Sequence, residues 1–369
     1  MAKTNLSSAE PVRWWIVAPV VALVLAFAPA PTWVVEEFYS RDFYPFLQSA
    51  LTAVSNVLPI AFLDLMIVAA ALLVGYRIVR LFMGARGGSL LDVLWESARR
   101  TIRLVGVVVS LFVLTWGCNY RRQPLETTLA GGQAVRPTAE SLDVAIADAN
   151  ALAASLRATA VPHGELTYED VATQLEEPMN AALTELNRMP LKRPGRPKYS
   201  VIVTPFFTWA GVNGMINPLA LESIVHPDLL PFERPFVLAH EWAHLAGQAD
   251  EAEASAVGWL ACMNGGSPLA YSASLYLIME AAAALPADVQ RRALSRLDVG
   301  VRGDLDAISH RMQKENPEVA RNASLVYDQY LRANRVSDGT ASYRRALSLI
   351  LSEPLRTALS EYRSRRRAN

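Results

Sequence analysis

The chain has 369 residues, and its 35 basic and 35 acidic side chains give a formal net charge of zero. A balanced charge predicts no nucleic-acid partner. Hydrophobic residues make up 52% of the chain and the mean hydropathy is +0.18, which is high for one soluble globular protein. The length allows two structural units, so we expect the excess of apolar residues to be concentrated in one of them.

The apolar residues lie mainly before residue 120, in three stretches. Each is close to the length of about 20 residues that crosses the hydrocarbon core of a membrane, although the third is short. The stretches predict a membrane region over residues 1–118 with transmembrane helices at about 14–35, 57–79 and 102–117. For the first stretch, a signal peptide is the alternative, because Ala28-Pro29-Ala30 is a small-residue run, but Pro31 disfavours cleavage.

The arginines between the stretches predict the orientation. Six arginines, from Arg77 to Arg103, lie between the second and third stretches or at their facing ends, and the segment between the first two carries Arg41 alone. The positive-inside rule places the arginine-rich loop in the cytoplasm. We therefore expect an integral membrane protein, of a bacterial inner membrane or a plasma membrane, whose C-terminal domain is extracytoplasmic. Arg121 and Arg122 oppose this orientation, but a long domain crosses largely regardless of such charges.

Asp64 and the two cysteines say little about the function. Asp64 lies a few residues into the second stretch, where a carboxylate is a candidate functional group. Its place near the outer end favours a simpler contact, with interfacial water or with a helix end. Cys118 and Cys262 are too few for a disulfide framework, and we expect both to be unpaired.

Residues 119–369 form the predicted extracytoplasmic domain, which is mostly helical. Apolar periodicity predicts helices at about 138–157, 167–189, 233–246, 249–264, 268–284, 286–297, 302–315, 317–334 and 340–366. The β-branched and aromatic run from Tyr199 to Thr204, followed by two glycines before Asn217, predicts a short strand pair or hairpin. The fold class is therefore mainly α with a small β element.

The sharpest motif is HExxH, from His240 to His244. With five histidines in the chain, a chance match is expected on the order of once in a hundred such sequences. Pro235 suits the first turn of a helix and Gly247 suits the residue after its end. On that helix His240 and His244 face the same side and can both bind one Zn²⁺. Glu241 is then placed to take a proton from metal-bound water.

A catalytic zinc needs a third protein ligand. Three acids follow the motif within a few residues, namely Asp250, Glu251 and Glu253. Asp250 fits an HExxHxxGxxD spacing, whereas Glu251 and Glu253 lie at the start of the next helix. The acids that do not reach the metal are expected to be solvated or to cap that helix.

Several separated motifs resemble one family. They are Trp116 to Arg122, Gly214 to Pro218 with Glu222, His240 to Gly247 followed by Glu251, Glu253 and Ala254, Tyr327 to Leu331 with Asn334, and Gly339 with Ser342 and Tyr343. In this order, over nearly the whole chain, they resemble the membrane proteins called domain of unknown function 3810, which are predicted zinc metallopeptidases. The resemblance implies a zincin-like, gluzincin-type site in which Glu251 is the third ligand and Glu253 the alternative. The family's usual Glu-Ala-Asn is Glu253-Ala254-Ser255 here.

These observations predict a membrane-anchored zinc metallopeptidase that hydrolyses a peptide or protein substrate. Tyr327, Tyr330 and Tyr343 suit core packing, but one of them could also donate to the oxyanion that forms on the substrate. We select Tyr343 for that catalytic role. The alternative is a membrane-anchored binding or scaffold protein whose metal site is structural or vestigial. A retained Glu241 favours the enzyme, because a structural metal does not need it.

Overall fold

The computed structural model describes residues 14–27, 30–84, 90–129, 135–160, 166–336, 339, 345–353 and 355–368. These residues are mainly helical and include one antiparallel two-stranded sheet, as the sequence predicts. The N-terminal helices are α1 (Trp14–Phe27), α2 (Thr32–Val34), a π-helix (Val35–Phe43), α3 (Tyr44–Val57), α4 (Phe62–Gly84) and α5 (Leu90–Thr115). Two short 3₁₀ helices, Gly117–Arg121 and Leu125–Thr127, lead into the larger domain.

One helix among the described residues, Phe62–Met83, is long and apolar enough to cross a membrane. Ile16–Phe27 and Thr32–Val57 would count as a second span only if taken together, and they are bent by 108°. The first predicted span is wrong as one continuous helix to Val35, because α1 ends at Phe27. Pro31 has an extended backbone (φ −58°, ψ 138°) and lacks an amide donor, so no helix continues through it.

The helices α1 and α5 pack closely and run in the same direction. A Cβ atom at Gly106 would lie 2.5 Å from the backbone nitrogen of Pro19, so the contact requires glycine. Further along both helices, Arg121 donates to the carbonyls of Leu25 and Ala26. The side chain of Arg121 therefore satisfies carbonyls at the C-terminal end of α1.

The larger domain is built on helices that bury α9 and α10 at its centre. Its elements are α6 (Ala139–Ala160), α7 (Tyr168–Glu185), α8 (Thr204–Ala210), β1 (Gly214–Asn217), β2 (Glu222–Val225), α9 (Arg234–Leu245), α10 (Glu251–Asn264), α11 (Ser267–Ala283), α12 (Ala287–Ser295), α13 (Val299–Met312), α14 (Pro317–Ala333), α15 (Arg345–Ile350) and α16 (Leu355–Ala368). Every residue of α10 from Glu251 to Met263 is buried. The single helix predicted over 340–366 is wrong, because a turn at Leu351–Glu353 separates α15 from α16.

The predicted strand at Tyr199 to Thr204 is also wrong. This run forms a turn that leads into α8, and the strands are β1 and β2, paired from Gly214 opposite Val225 to Asn217 opposite Glu222. The cause is a carboxylate from a distant part of the chain. Asp64, in the first turn of α4, accepts hydrogen bonds from the hydroxyl of Ser200 and the amide of Val201 (2.8 Å). These bonds satisfy a hydroxyl and an amide donor of the turn. The Asp64 carboxylate therefore contacts the turn that leads into α8.

A buried ion pair fixes the start of α4 to the sheet. Glu222 and Lys198 are both fully buried, and their charged atoms are 3.0 Å apart. The Glu222 carboxylate also accepts from the amides of Phe62 (2.9 Å) and Leu63 (2.8 Å), which are unsatisfied donors at the N-terminus of α4. Glu222 therefore acts as a helix cap supplied from the larger domain.

Removing Glu222 should destabilise the protein strongly. Glu222→Ala leaves the Lys198 charge buried without its partner, and we expect a loss of about 3–5 kcal/mol in the free energy of unfolding. Chemical unfolding of the full chain in detergent measures the loss. Adding Lys198→Met should recover part of it. The exposed pair Lys314–Asp228 is the control, and Lys314→Ala should cost about 1 kcal/mol or less.

Candidate metal centre

The helix α9 presents the HExxH motif, and its ends follow the local sequence signals. Pro235 stands in its first turn, and Gly247 has a left-handed backbone (φ +87°) just beyond its last residue. The chain then reverses into α10. A Cβ atom on Gly258 would lie 2.9 Å from the backbone nitrogen of His240, so glycine at this position lets α10 pack directly against α9. This close approach places the first turn of α10 beside the motif.

The side chains of His240, His244 and Glu251 meet at one point. The two Nε2 atoms are 3.1 Å apart, and Oε2 of Glu251 lies 3.2 Å from the first and 3.4 Å from the second. Ligand atoms bound tetrahedrally to zinc at 2.0–2.1 Å are about 3.3 Å from one another. The triangle therefore has the dimensions of three corners of a tetrahedral zinc site. The buried Oε2 has the two imidazole nitrogens as its neighbours, as expected of an oxygen that would share a metal with them.

The other ring nitrogens are engaged by neighbouring groups. Nδ1 of His240 lies 3.2 Å from the hydroxyl of Ser255, and Nδ1 of His244 lies 2.6 Å from the carbonyl of Gln248. Such contacts fix the ring orientation and leave both Nε2 atoms available to a metal. Although burial acts to raise it, the pKa of Glu251 is held well below its ordinary value by the two histidines. The residues thus fit a divalent cation.

The two other acids that could have been the third ligand have different contacts. Asp250 caps α10, accepting from the amides of Ala252 (3.0 Å) and Glu253 (3.2 Å), and it pairs with Arg345. Glu253 points away from the histidines and accepts from the amide of Leu125 (2.8 Å). Neither acid belongs to the group of ligand atoms that lie within 4.8 Å of one another.

Glu241 lies next to this group but is not part of it. Its Oε2 is buried and has no hydrogen-bond partner among the described residues. Burial, with a smaller contribution from the charge of Glu251, raises the pKa of Glu241 to about 8. A carboxyl group with a pKa near neutrality is suited to taking up a proton and passing it on. The strand β1 begins directly over it, since a Cβ atom on Gly214 would lie 2.6 Å from Oε1 of Glu241.

A family model described as "Protein of unknown function (DUF3810)" matches residues 39–351. The chain belongs to this family. The matched range contains α4, α5, the sheet and every member of the metal group. Comparison with curated proteins and with solved structures found no match.

Four aromatic residues, Trp116, Tyr120, Tyr327 and Tyr330, lie beside the candidate metal ligands. The hydroxyl of Tyr327 donates to Oε1 of Glu251, and the Tyr327 and Tyr330 rings are stacked 5.7 Å apart. The Tyr120 hydroxyl lies 3.3 Å from that of Tyr330, and the ring of Trp116 lies 6.0 Å from that of His244. Tyr343, which we selected as the oxyanion donor, lies outside the described residues.

The contacts of Tyr327 and Trp116 were not predicted from the sequence. Both residues belong to motifs that carry the family resemblance, and that was the available signal. Neither motif has a metal-ligand spacing, and each lies more than 70 residues from Glu251 along the chain. The role of these aromatic residues follows only from the contacts that bring Tyr327 of α14 to Glu251 and Trp116, just after α5, to His244.

Removing the Tyr327 hydroxyl should weaken metal binding without removing a ligand. In Tyr327→Phe the carboxylate of Glu251 loses the bond that orients it, and we expect zinc affinity to fall about 10–100-fold. Competition with a fluorescent zinc chelator measures the change. Tyr330→Phe alters the same aromatic stack but no bond to Glu251, and should change affinity little. Equal losses in the two variants would assign the effect to packing.

Proposed function

We propose that the protein is a membrane-anchored, zinc-dependent metallopeptidase with a zincin-like site. The observation that carries the proposal is the triangle of His240, His244 and Glu251, with the unpartnered carboxyl of Glu241 beside it. The order of the residues, HExxH on one helix and a glutamate at the start of the next, is the gluzincin-type arrangement.

In this proposal the metal is held by His240, His244 and Glu251. A bound Zn²⁺ lowers the pKa of coordinated water towards neutrality and polarises a substrate carbonyl. Glu241 takes the proton from the attacking water and then delivers it to the leaving nitrogen of the peptide. Ser255 and Gln248 keep the imidazole rings in place, and Tyr327 keeps the carboxylate of Glu251 in place.

The strand β1 supplies a surface for the substrate. Among the described residues it pairs with β2 alone, so no third strand occupies its other edge. Gly214 brings that strand against Glu241. An extended peptide added to this edge by backbone hydrogen bonds would place its carbonyl close to the carboxyl group that accepts the proton. This arrangement supports a peptide as the substrate.

The membrane part of the proposal has three crossings, α1, α4 and the apolar end of α5. The parallel packing of α1 and α5 supports it, because two helices separated by one further crossing run in the same direction. The six arginines then favour a cytoplasmic α4–α5 connection, with the metal centre outside. A reporter fused near residue 90 should be cytoplasmic and one at the C-terminus extracytoplasmic, and the reverse labelling would overturn this orientation.

The alternative, a membrane-anchored scaffold with a structural or vestigial metal, requires the three ligands but not Glu241. A carboxyl group buried without a partner is costly for a structural protein to keep. The buried and unpartnered Glu241 therefore favours the enzyme.

The first test is the metal content of the full chain purified in detergent. We expect about one tightly bound zinc per chain, the stoichiometry of a site with three protein ligands and one open position. Elemental analysis, followed by removal with a chelator and reloading, measures it. A chain that neither carries nor takes up zinc would contradict the enzyme proposal and the structural-metal alternative.

A further inference from the structure

The helix α3 turns its polar side chains towards the larger domain. Tyr44, Gln48, Thr52 and Ser55 follow one another at helical spacing and are all buried. Three of them donate to backbone carbonyls of the domain, at Leu245 (Tyr44, 3.1 Å), Arg193 (Gln48, 2.7 Å) and Leu221 (Thr52, 2.7 Å). The buried side of α3 is therefore held by specific hydrogen bonds.

The opposite side of α3 is apolar and exposed. Phe46, Val54 and Val57 lie there at helical spacing, and Val57 is 75% exposed. A helix on the surface of a water-soluble protein has the reverse arrangement, with its apolar stripe against the core and its polar side chains in water. The outward side of α3 is thus suited to a non-aqueous environment.

A second exposed apolar group lies on the larger domain, beside the beginning of α4. Val201 is 81% exposed, and Phe206 and Trp209 on α8 are exposed as well. The amide of Val201 donates to Asp64 in the first turn of α4, so this group adjoins the beginning of that helix. We call the two groups together the apolar rim, consisting of Phe46, Val54, Val57, Val201, Phe206 and Trp209.

Both parts of the apolar rim adjoin the beginning of α4, the helix that can cross a membrane. Leu58 to Ala61 connect α3 to α4, and Asp64 connects α4 to the Val201 turn. No residue in the apolar window of α4 is fully buried in the protein. The axis of Thr32–Val57 is turned by 108° from that of Ile16–Phe27. With α1 and α4 crossing the bilayer, α3 is therefore directed along the membrane surface.

We propose that the apolar rim lies in the lipid interface at the outer end of α4, so that the larger domain rests on the bilayer. The occupant of this surface is lipid, at the boundary between headgroups and acyl chains, where amphipathic helices and aromatic side chains are stabilised. Continuity with the exposed apolar surface of α4 carries the assignment. The proposal rests on the membrane anchorage in the proposed function and does not depend on the metal.

The beginning of α4 also lies close to the strand that would bind substrate in the proposed peptidase. The side-chain amide of Asn217, at the end of β1, is 3.5 Å from the sulfur of Met66 in α4. The strand that would bind substrate is therefore next to the outer end of α4.

Depth-dependent fluorescence quenching tests the rim in the full chain. Val54→Cys and Trp209→Cys, each in a Cys118→Ser background, are labelled with an environment-sensitive fluorophore and reconstituted into phosphatidylcholine vesicles. Cys262 is fully buried and does not compete for the label. Vesicles with a nitroxide high on the acyl chain should quench both labels about twofold or more, because an interfacial apolar face lies roughly 5–10 Å deep.

Two matched positions complete the test. Val299 on α13 is 86% exposed, and a label at Val299→Cys should not be quenched. A label at Leu72→Cys on α4 should be quenched best by a nitroxide deep in the bilayer. Quenching at Leu72→Cys with none at Val54→Cys and Trp209→Cys would overturn the rim and leave membrane anchorage and the metal site standing. No quenching at Leu72→Cys would overturn the anchorage as well. Cross-linking between rim cysteines of two chains, without lipid quenching, would show that a second copy covers this surface.

Discussion

Replacing Glu241 by glutamine should abolish peptide hydrolysis while leaving the metal in place. Glutamine keeps the size of the side chain but cannot accept the proton, so we expect the rate to fall by about 10²–10⁴-fold. The ligand triangle of His240, His244 and Glu251 does not include Glu241, and zinc content should therefore match the wild type.

The measurement uses a library of fluorogenic peptides with purified full-length protein, alongside a proteomic comparison of cells that carry each form. Peptides that accumulate only with Glu241→Gln would identify substrates. Zinc content and thermal unfolding of the variant serve as the controls for folding. Undiminished cleavage of a substrate by Glu241→Gln would show that another group accepts the proton.

Removing any one member of the ligand triangle should release the metal. For His240→Ala, His244→Ala and Glu251→Ala we expect zinc affinity to fall by more than about 100-fold. Changing a residue that only supports a ligand lowers the affinity by up to about 100-fold, so losing the ligand itself should lower it further. Two remaining ligands cannot hold the ion against water and chelators. Zinc titration with a competing chelator measures the affinity of each variant.

The neighbouring acids provide matched controls for Glu251. Asp250→Ala removes a helix cap, and Glu253→Gln keeps an acceptor for the amide of Leu125, so both should retain zinc near the wild-type affinity. If Glu253→Gln releases the metal and Glu251→Ala retains it, α10 is rotated about its axis and the assignment of the third ligand is wrong.

The parts of the site that follow from local sequence were predictable. Pro235 and Gly247 bound the motif helix to within a residue or two, because helix ends depend on the backbone preferences of such residues. The choice of Glu251 over Glu253 required the family resemblance, and the structure places Glu251 with the histidines. That a metal binds there stays a prediction.

The features that depend on distant contacts were not predictable. The run from Tyr199 to Thr204 has strand propensity, but Asp64, separated from Ser200 by 136 positions, holds it as a turn. No helix was predicted at α3, and the helical spacing of its polar side chains, such as Gln48, does not reveal that this side is the buried one. Its partners, the carbonyls of the larger domain, are not visible in the sequence.

The boundary predicted at residue 118 separates chain segments that share one hydrophobic core. Tyr44 and Trp116, which precede it, are buried in the same cluster as Trp242 and Trp259 of α9 and α10. Tyr44 also binds the last carbonyl of the motif helix. A proteolytic cut after Gly117 would therefore separate the motif helix from Tyr44 and Trp116, which contact Leu245 and His244. The packing therefore ties the proposed activity to the N-terminal helices.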